Sequence, residues 1–206
     1  MKFKEHKLIG KIITVVSCLV ILVCLVSMSR FNISCDNIRG DVLRLHILAN
    51  SDSDDDQQLK LCVRDRILEE TGDLFLSAVT YEEAVAITDS LLPEIISIAE
   101  DEIEKQGYSY DVKAQLGYTF FDTRHYDEYT LPAGNYLALN VTIGEGKGHN
   151  WWCVMFPSIC LSSSVDLDDK LDSDEIEVIT DYSGYKVEFK LVEWYEKILS
   201  KVKVGD

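Results

Sequence analysis

Basic residues, prolines and histidines are scarce in this sequence. Its 206 residues hold 20 Lys and Arg against 36 Asp and Glu, with three prolines and four histidines. The net charge of −16 disfavours a nucleic-acid partner, because binding to phosphates requires Lys and Arg. It also disfavours adsorption to an anionic lipid surface. Neither an internal repeat nor a low-complexity linker occurs, which predicts a single folded domain.

The histidines and cysteines lack the spacing of a metal site. Neither Cys-x2-Cys nor His-x3-His occurs, so we predict no metal, no cofactor and no small-molecule substrate. His149 lies four residues before Cys153, and a fold could still bring the two side chains together. A secreted hydrolase using His149 and Cys153 is therefore an open alternative, although the tryptophans before Cys153 favour a structural role.

A charge-free run lies close to the N-terminus. Ile12–Met28 has no charged residue and follows four lysines within residues 1–11. This pattern predicts a signal peptide or an N-terminal membrane anchor over residues 1–29, with cleavage near the end of that range left open. In both cases the lysines keep the N-terminus in the cytoplasm, and the rest of the chain lies outside the membrane. We predict a juxtamembrane linker over 30–40 and one extracytoplasmic domain over 41–206.

Beyond residue 29 the chain is more acidic still. Removing the four lysines and one glutamate of residues 1–29 leaves 16 basic and 35 acidic residues, a net charge of −19. A chain of this length can bury its own core without disulfides. Cys153 and Cys160 flank Pro157, and a bridge across a bend competes with two buried thiols as their arrangement. Cys62 lies within a predicted helix, and we expect its side chain to lie in the hydrophobic core of the domain.

The hydrophobic periodicity predicts an α+β fold with a largely antiparallel sheet of about five strands and three helical regions. Proline at 93 is expected to kink or split the second helix. The predicted elements are a strand at 41–49, a helix from the acidic run to about residue 72, a helix at 80–107, strands at 112–120 and 136–143, a hairpin at 176–180 and 185–189, and a C-terminal helix from 191.

Two polar motifs resemble ligand sites. The run Asp52–Asp56 resembles a calcium loop, but Gln57 replaces the turn glycine and Val63 the bidentate glutamate, so we interpret the run as a helix-capping surface. A calcium-dependent scaffold module stays open as an alternative. The glycines of Gly144–Gly148 have the spacing of a phosphate loop, but no helix is predicted after them, which favours a flexible loop.

Several polar and aromatic residues are predicted to form one recognition surface. Arg44 and His46 are expected on the exposed face of the first strand, beside the acidic turn and the polar side of the next helix. An internal salt-bridge network is an equally good interpretation of the same residues. The predicted partner-binding residues are Arg44, His46, Asn50, Ser51, Asp52, Asp56, Gln57, Lys60, Arg64, Asp65, Trp151 and Trp152.

Two segments resemble the stage II sporulation protein R family. They are RLHILANSDSDDDQQLKLCVRDRILE (Arg44–Glu69) and NWWCVMFPSIC (Asn150–Cys160). The resemblance implies a protein that is not an enzyme, made in the forespore of an endospore-forming bacterium and exported between the septal membranes. There it would activate a membrane-embedded aspartic protease that processes the pro-sigma-E factor. The acidic stretch Asp166–Glu177 matches no motif of that family.

The resemblance also suggests how the surface would act. The 44–65 region, with Trp151 or Trp152, would contact the extracytoplasmic part of the protease and favour its active state. On this hypothesis, replacing Asp52 and Asp56 by alanine abolishes activation while export and folding stay intact.

Overall fold

A computed structural model describes residues 2–126, 129–158, 167 and 170–203, with side chains from residue 11 to residue 201 in those ranges. Its elements are α1 (Lys2–Asp41), β1 (Leu43–Leu48), α2 (Asp54–Ser77), α3 (Tyr81–Lys105), β2 (Val112–Phe121), β3 (Arg124–Tyr126), β4 (Tyr129–Leu131), β5 (Gly134–Ile143), β6 (Asn150–Phe156), α4 (Ser173–Thr180) and α5 (Lys186–Lys203).

The main sheet is mixed, and the prediction of a largely antiparallel sheet is wrong. Its order is β2-β5-β1-β6, and β1 runs parallel to β5 but antiparallel to β6. The described residues also form a small β3-β4 hairpin within the connection from β2 to β5. The strands predicted at 41–49, 112–120 and 136–143 are present as β1, β2 and β5, but β1 pairs with partners about 90 and 110 residues later. Side-chain alternation carries no information on which strands become neighbours.

Helices α2 and α3 begin as predicted. The Ser53 side chain accepts from the Asp56 amide, and Thr80 and Glu83 form a capping box. However, α2 continues past Gly72 to bury Phe75, and Pro93 does not split α3. Pro93 lies on the exposed side of α3. The opposite face of α3 is buried, and its packing holds the helix together.

The predicted hairpin at 176–180 and 185–189 is wrong. Both segments are helical, in α4 and at the start of α5. With α4 and the N-terminal α1 added to the three predicted helical regions, the described residues form five helices. The Asp172 amide donates to the Glu175 carboxylate at 2.8 Å and starts α4, which places the end of the acidic stretch in a helix. The short β-branched run was mistaken for a strand.

Helices cover both faces of the sheet. One core lies between the sheet and α2 and α3, and the other lies under α1, α4 and α5. Residues 30–40, predicted as a linker, continue α1 and bury Phe31, Cys35 and Ile38 in the second core. The preceding part of α1 is long and apolar enough to span a membrane, with a mean hydropathy of 2.8 and an exposed surface. A signal sequence meets the same criterion.

Two carboxyl groups meet where α1 packs on α4. The Asp41 and Glu175 side chains hydrogen-bond to each other, and Glu175 Oε1 has no other donor among the described residues. One shared proton accounts for this contact. Burial, with Asp41 and Asp172 nearby, raises the pKa of Glu175 to about 7.

This pair makes stability depend on pH. Because the folded-state pKa is raised, the stabilisation is present below about pH 4.5 and is lost as the pH rises through about 7. In Glu175→Gln, the amide N–H donates to Asp41 at every pH and no titrating proton is needed. We expect this change to raise the free energy of unfolding at pH 8 by about 1–3 kcal/mol. At pH 5 the variant should match the parent chain in urea titrations. An equal gain at both pH values would contradict the shared proton.

Candidate partner-binding surface

Arg44 and His46 were expected on an exposed strand face, and this expectation is wrong. Arg44 is 0% exposed and His46 is 8% exposed. Both point to the sheet face that α1, α4 and α5 partly cover, where a second core forms that was not predicted. An alternating strand gives no indication of whether its polar face meets solvent or another layer.

Arg44 lies in an aromatic cage. Its guanidinium carbon is 4.0 Å from the ring centre of Phe121 and 5.0 Å from that of Tyr136. Its Nε donates to the Cys153 carbonyl at 3.2 Å, one Nη donates to the Tyr126 hydroxyl, and the other Nη has no partner among the described residues. Burial lowers the pKa of Arg44. The arrangement holds a cation by cation–π contacts in place of an ion pair.

His46 is held in one orientation next to this cage. Its Nδ1 lies 2.9 Å from Asn140 Oδ1, which also accepts from the Thr119 hydroxyl at 2.7 Å. Nε2 lies 2.9 Å from the side chain of Asn150, and the imidazole stacks on Trp152 with ring centres 4.4 Å apart. These contacts give His46 a structural role. Asn140, a polar residue within an apolar strand, was the sequence signal for this network.

The acidic turn is organised around Asp56. The residue is 5% exposed, and its carboxylate accepts hydrogen bonds from Asn50 Nδ2 at 2.9 Å, Ser51 Oγ at 2.5 Å and the Tyr110 hydroxyl. Gln57 Nε2 closes the turn by donating to the Ser51 carbonyl at 2.8 Å. These residues form an internal network, the alternative that the sequence left open.

The glycine-rich loop after β5 is attached to the same turn. The amides of Lys147 and Gly148 donate to the carbonyls of Asn50 and Ala49 at 3.1 and 3.0 Å. A Cβ at Gly148 would lie 2.2 Å from the Ser51 carbonyl oxygen, so only glycine permits this approach. The spacing that resembled a phosphate loop serves this close packing.

Asp52 and His149 form the exposed part of this region. Asp52 Oδ1 accepts from the His149 amide at 2.6 Å and lies 2.5 Å from its Nδ1. Their side chains are 55% and 78% exposed. Lys60 is buried beneath them and donates to the Gln57 side chain at 2.6 Å and the His149 carbonyl at 2.9 Å. Lys60 therefore supports the pair without being accessible itself.

The remaining predicted residues, Arg64, Asp65, Trp151 and Trp152, are divided between the two faces of the sheet. The Arg64 guanidinium is 4.3 Å from the Trp151 ring centre and pairs with the exposed Asp65 at 2.5 Å. Trp151 packs against the core under α2 and α3, whereas Trp152 packs against the opposite core. The twelve predicted residues thus do not form one continuous surface.

Cys153 is disulfide-bonded, and Cys18, Cys24, Cys35 and Cys62 are free thiols. The predicted partner, Cys160, lies outside the described residues. A bonded Cys153 has no thiolate to act as a nucleophile, and His149 is paired with Asp52. The bonded state of Cys153 removes the basis for a hydrolase that uses this cysteine as its nucleophile.

The structure defines a class of protein: one α+β domain on an apolar N-terminal helix, with a polar turn fixed at one end of its sheet. The sequence model of the stage II sporulation protein R family matches residues 39–166. The chain belongs to this family. It is 42% identical over 123 residues to stage II sporulation protein R of Bacillus subtilis (strain 168), covering 60% of this chain and 55% of that protein. No solved structure matches the chain.

Proposed function

We propose that this chain is an extracytoplasmic sporulation signal that activates a membrane-embedded aspartic protease, which then processes the pro-sigma-E factor. The observation that carries the proposal is family membership over residues 39–166, joined to the exposed apolar helix before them. The helix would deliver the domain across the forespore membrane, as a cleaved signal peptide or an anchor. Binding activates the protease only if the chain has higher affinity for its active state.

Co-expression in a heterologous host tests this function. Full-length chain, protease and pro-sigma-E are produced together, and processing is followed by immunoblotting. We expect processing that requires all three proteins, with no cleavage when this chain is omitted. Cleavage at the same rate without this chain would refute the proposal.

Asp52, within the predicted surface, and the adjacent His149 form an exposed polar pair that a partner could contact. Asp56 lies buried below them, so replacing both aspartates by alanine would not separate contact from folding. Asp52→Asn keeps an oxygen that can accept the hydrogen bond from the His149 amide, and it removes the negative charge. We expect this change to reduce processing at least about tenfold, equivalent to about 1.4 kcal/mol of binding.

Asp54→Asn is the matched control, since Asp54 is also an exposed carboxylate at the start of α2. This control should process normally, and both variants should keep the parent melting temperature. Equal processing by the two variants would exclude Asp52 from the contact.

A further inference from the structure

The C-terminal helix α5 has two different apolar faces. Phe189 and Val192 are buried in the second core. On the opposite side, apolar residues at 187, 191, 194 and 198 form a stripe at spacings of four, three and four. The four side chains of this α5 stripe are Val187 (68% exposed), Leu191 (49%), Trp194 (67%) and Ile198 (42%).

Lysines border the α5 stripe on one side only. At 100° per residue, Lys190 and Lys201 fall directly beside it, and Lys186 and Lys197 come next on the same flank. Glu193 lies behind them and pairs with Lys190 and Lys197, and Lys197 also pairs with Asp122 at 3.0 Å. Lys186 and Lys201 have no ion pair among the described residues, and in a domain with an acidic excess their positive charge suits an occupant that is both apolar and acidic.

The direction of α5 indicates where that occupant comes from. The rings of Tyr185 and Phe189 lie 5.3 and 5.2 Å from Phe31, and further along both helices Glu196 pairs with Arg39 at 3.6 Å. The two helices therefore run side by side in the same direction. If Ile12–Met28 spans the membrane, the stripe begins near the membrane surface and rises away from it.

This geometry disfavours two other occupants. A lipid headgroup layer is about 5–8 Å thick, whereas the stripe is about 16 Å long and would project beyond it. In a parallel pair of copies, the lysine flank of one would face the opposite flank of the other, which carries Glu188 and Tyr195 and no row of acidic residues. Self-association would leave Lys186 and Lys201, which have no ion pair among the described residues, without an acidic partner.

We propose that the α5 stripe binds an apolar helical segment that projects from a membrane protein and carries acidic residues beside its apolar face. This inference rests on the proposed function, because it takes the membrane-embedded protease as that protein. The contact is additional to the one at Asp52, since no hydrogen bond or ion pair joins α5 to the acidic turn among the described residues.

The test uses the same three-protein co-expression. Leu191→Asp places a charge in the stripe and should reduce processing at least tenfold. Leu76→Asp is the matched control, because Leu76 of α2 is also 49% exposed, and it should process normally. Both variants should keep the parent melting temperature. If the parent chain triggers no processing, the proposed function fails. If the parent chain triggers processing and the Leu191→Asp variant does so equally well, the stripe proposal fails.

Photocrosslinking identifies the occupant. With p-benzoylphenylalanine in place of Leu191 in the full-length chain, we expect a crosslink to an apolar, acid-flanked segment of the protease. Crosslinks to lipid or to a second copy of this chain, without one to the protease, would overturn the proposal.

Discussion

Arg44→Ala is expected to lower the free energy of unfolding by about 3–5 kcal/mol, because it leaves a cavity among aromatic rings. Arg44→Met should lower it by less than about 1.5 kcal/mol. Methionine has a similar volume, and it removes a buried charge that lacks a carboxylate partner among the described residues. Urea denaturation of the full-length chain in detergent measures both changes.

Arg66→Ala provides the control for loss of an arginine. Arg66 pairs with Glu69 and Glu70 on the surface of α2, so its replacement should change the free energy of unfolding by less than about 1 kcal/mol. If Arg44→Met and Arg44→Ala are equally destabilising, the charge and its hydrogen bonds, and not the volume of the side chain, hold the cage together.

Asp56→Ala is expected to lower the free energy of unfolding by about 2–4 kcal/mol, because several donors each lose a partner worth about 1 kcal/mol. The donors are the side chains of Asn50, Ser51 and Tyr110. Asp55→Ala is the control, since Asp55 is exposed one position earlier, and its replacement should cost less than about 1 kcal/mol. Equal losses in the two variants would contradict a special role for Asp56.

The Asp56 network also predicts a pH dependence. Burial raises the pKa of Asp56, but the hydrogen bonds from Ser51, Asn50 and Tyr110 outweigh it and hold this pKa below 3.8. A lowered pKa stabilises the fold above about pH 4, and this stabilisation is lost as the pH falls further. Asp56→Asn should therefore lose less stability than the parent chain between pH 4 and pH 2. Parallel pH profiles would show that Asp56 is not the group responsible.

These expectations divide the acidic turn between two roles. Asp56 stabilises the turn from below, and Asp52 presents a charge to solvent above it. The sequence motif contains both aspartates four residues apart, and the motif alone assigns them the same role. Separate measurements of stability and of processing can distinguish the two.

Local chemistry determined what could be predicted from the sequence alone. The apolar run of α1, the caps at Ser53 and Thr80 and the alternation in β2 and β5 depend on residues within a few positions of each other. Family membership was likewise predictable, because it depends on contiguous motifs.

Contacts between distant segments decided the rest. The place of β1 between β5 and β6, the burial of Arg44 and the attachment of the glycine-rich loop all join residues that lie about 90 to 110 positions apart. Whether a polar side chain faces solvent depends on which layer packs over it, and the second layer here is formed by α1 and the C-terminal helices. For this reason the motif residues were found from the sequence, while their division into buried support and exposed contact required the tertiary structure.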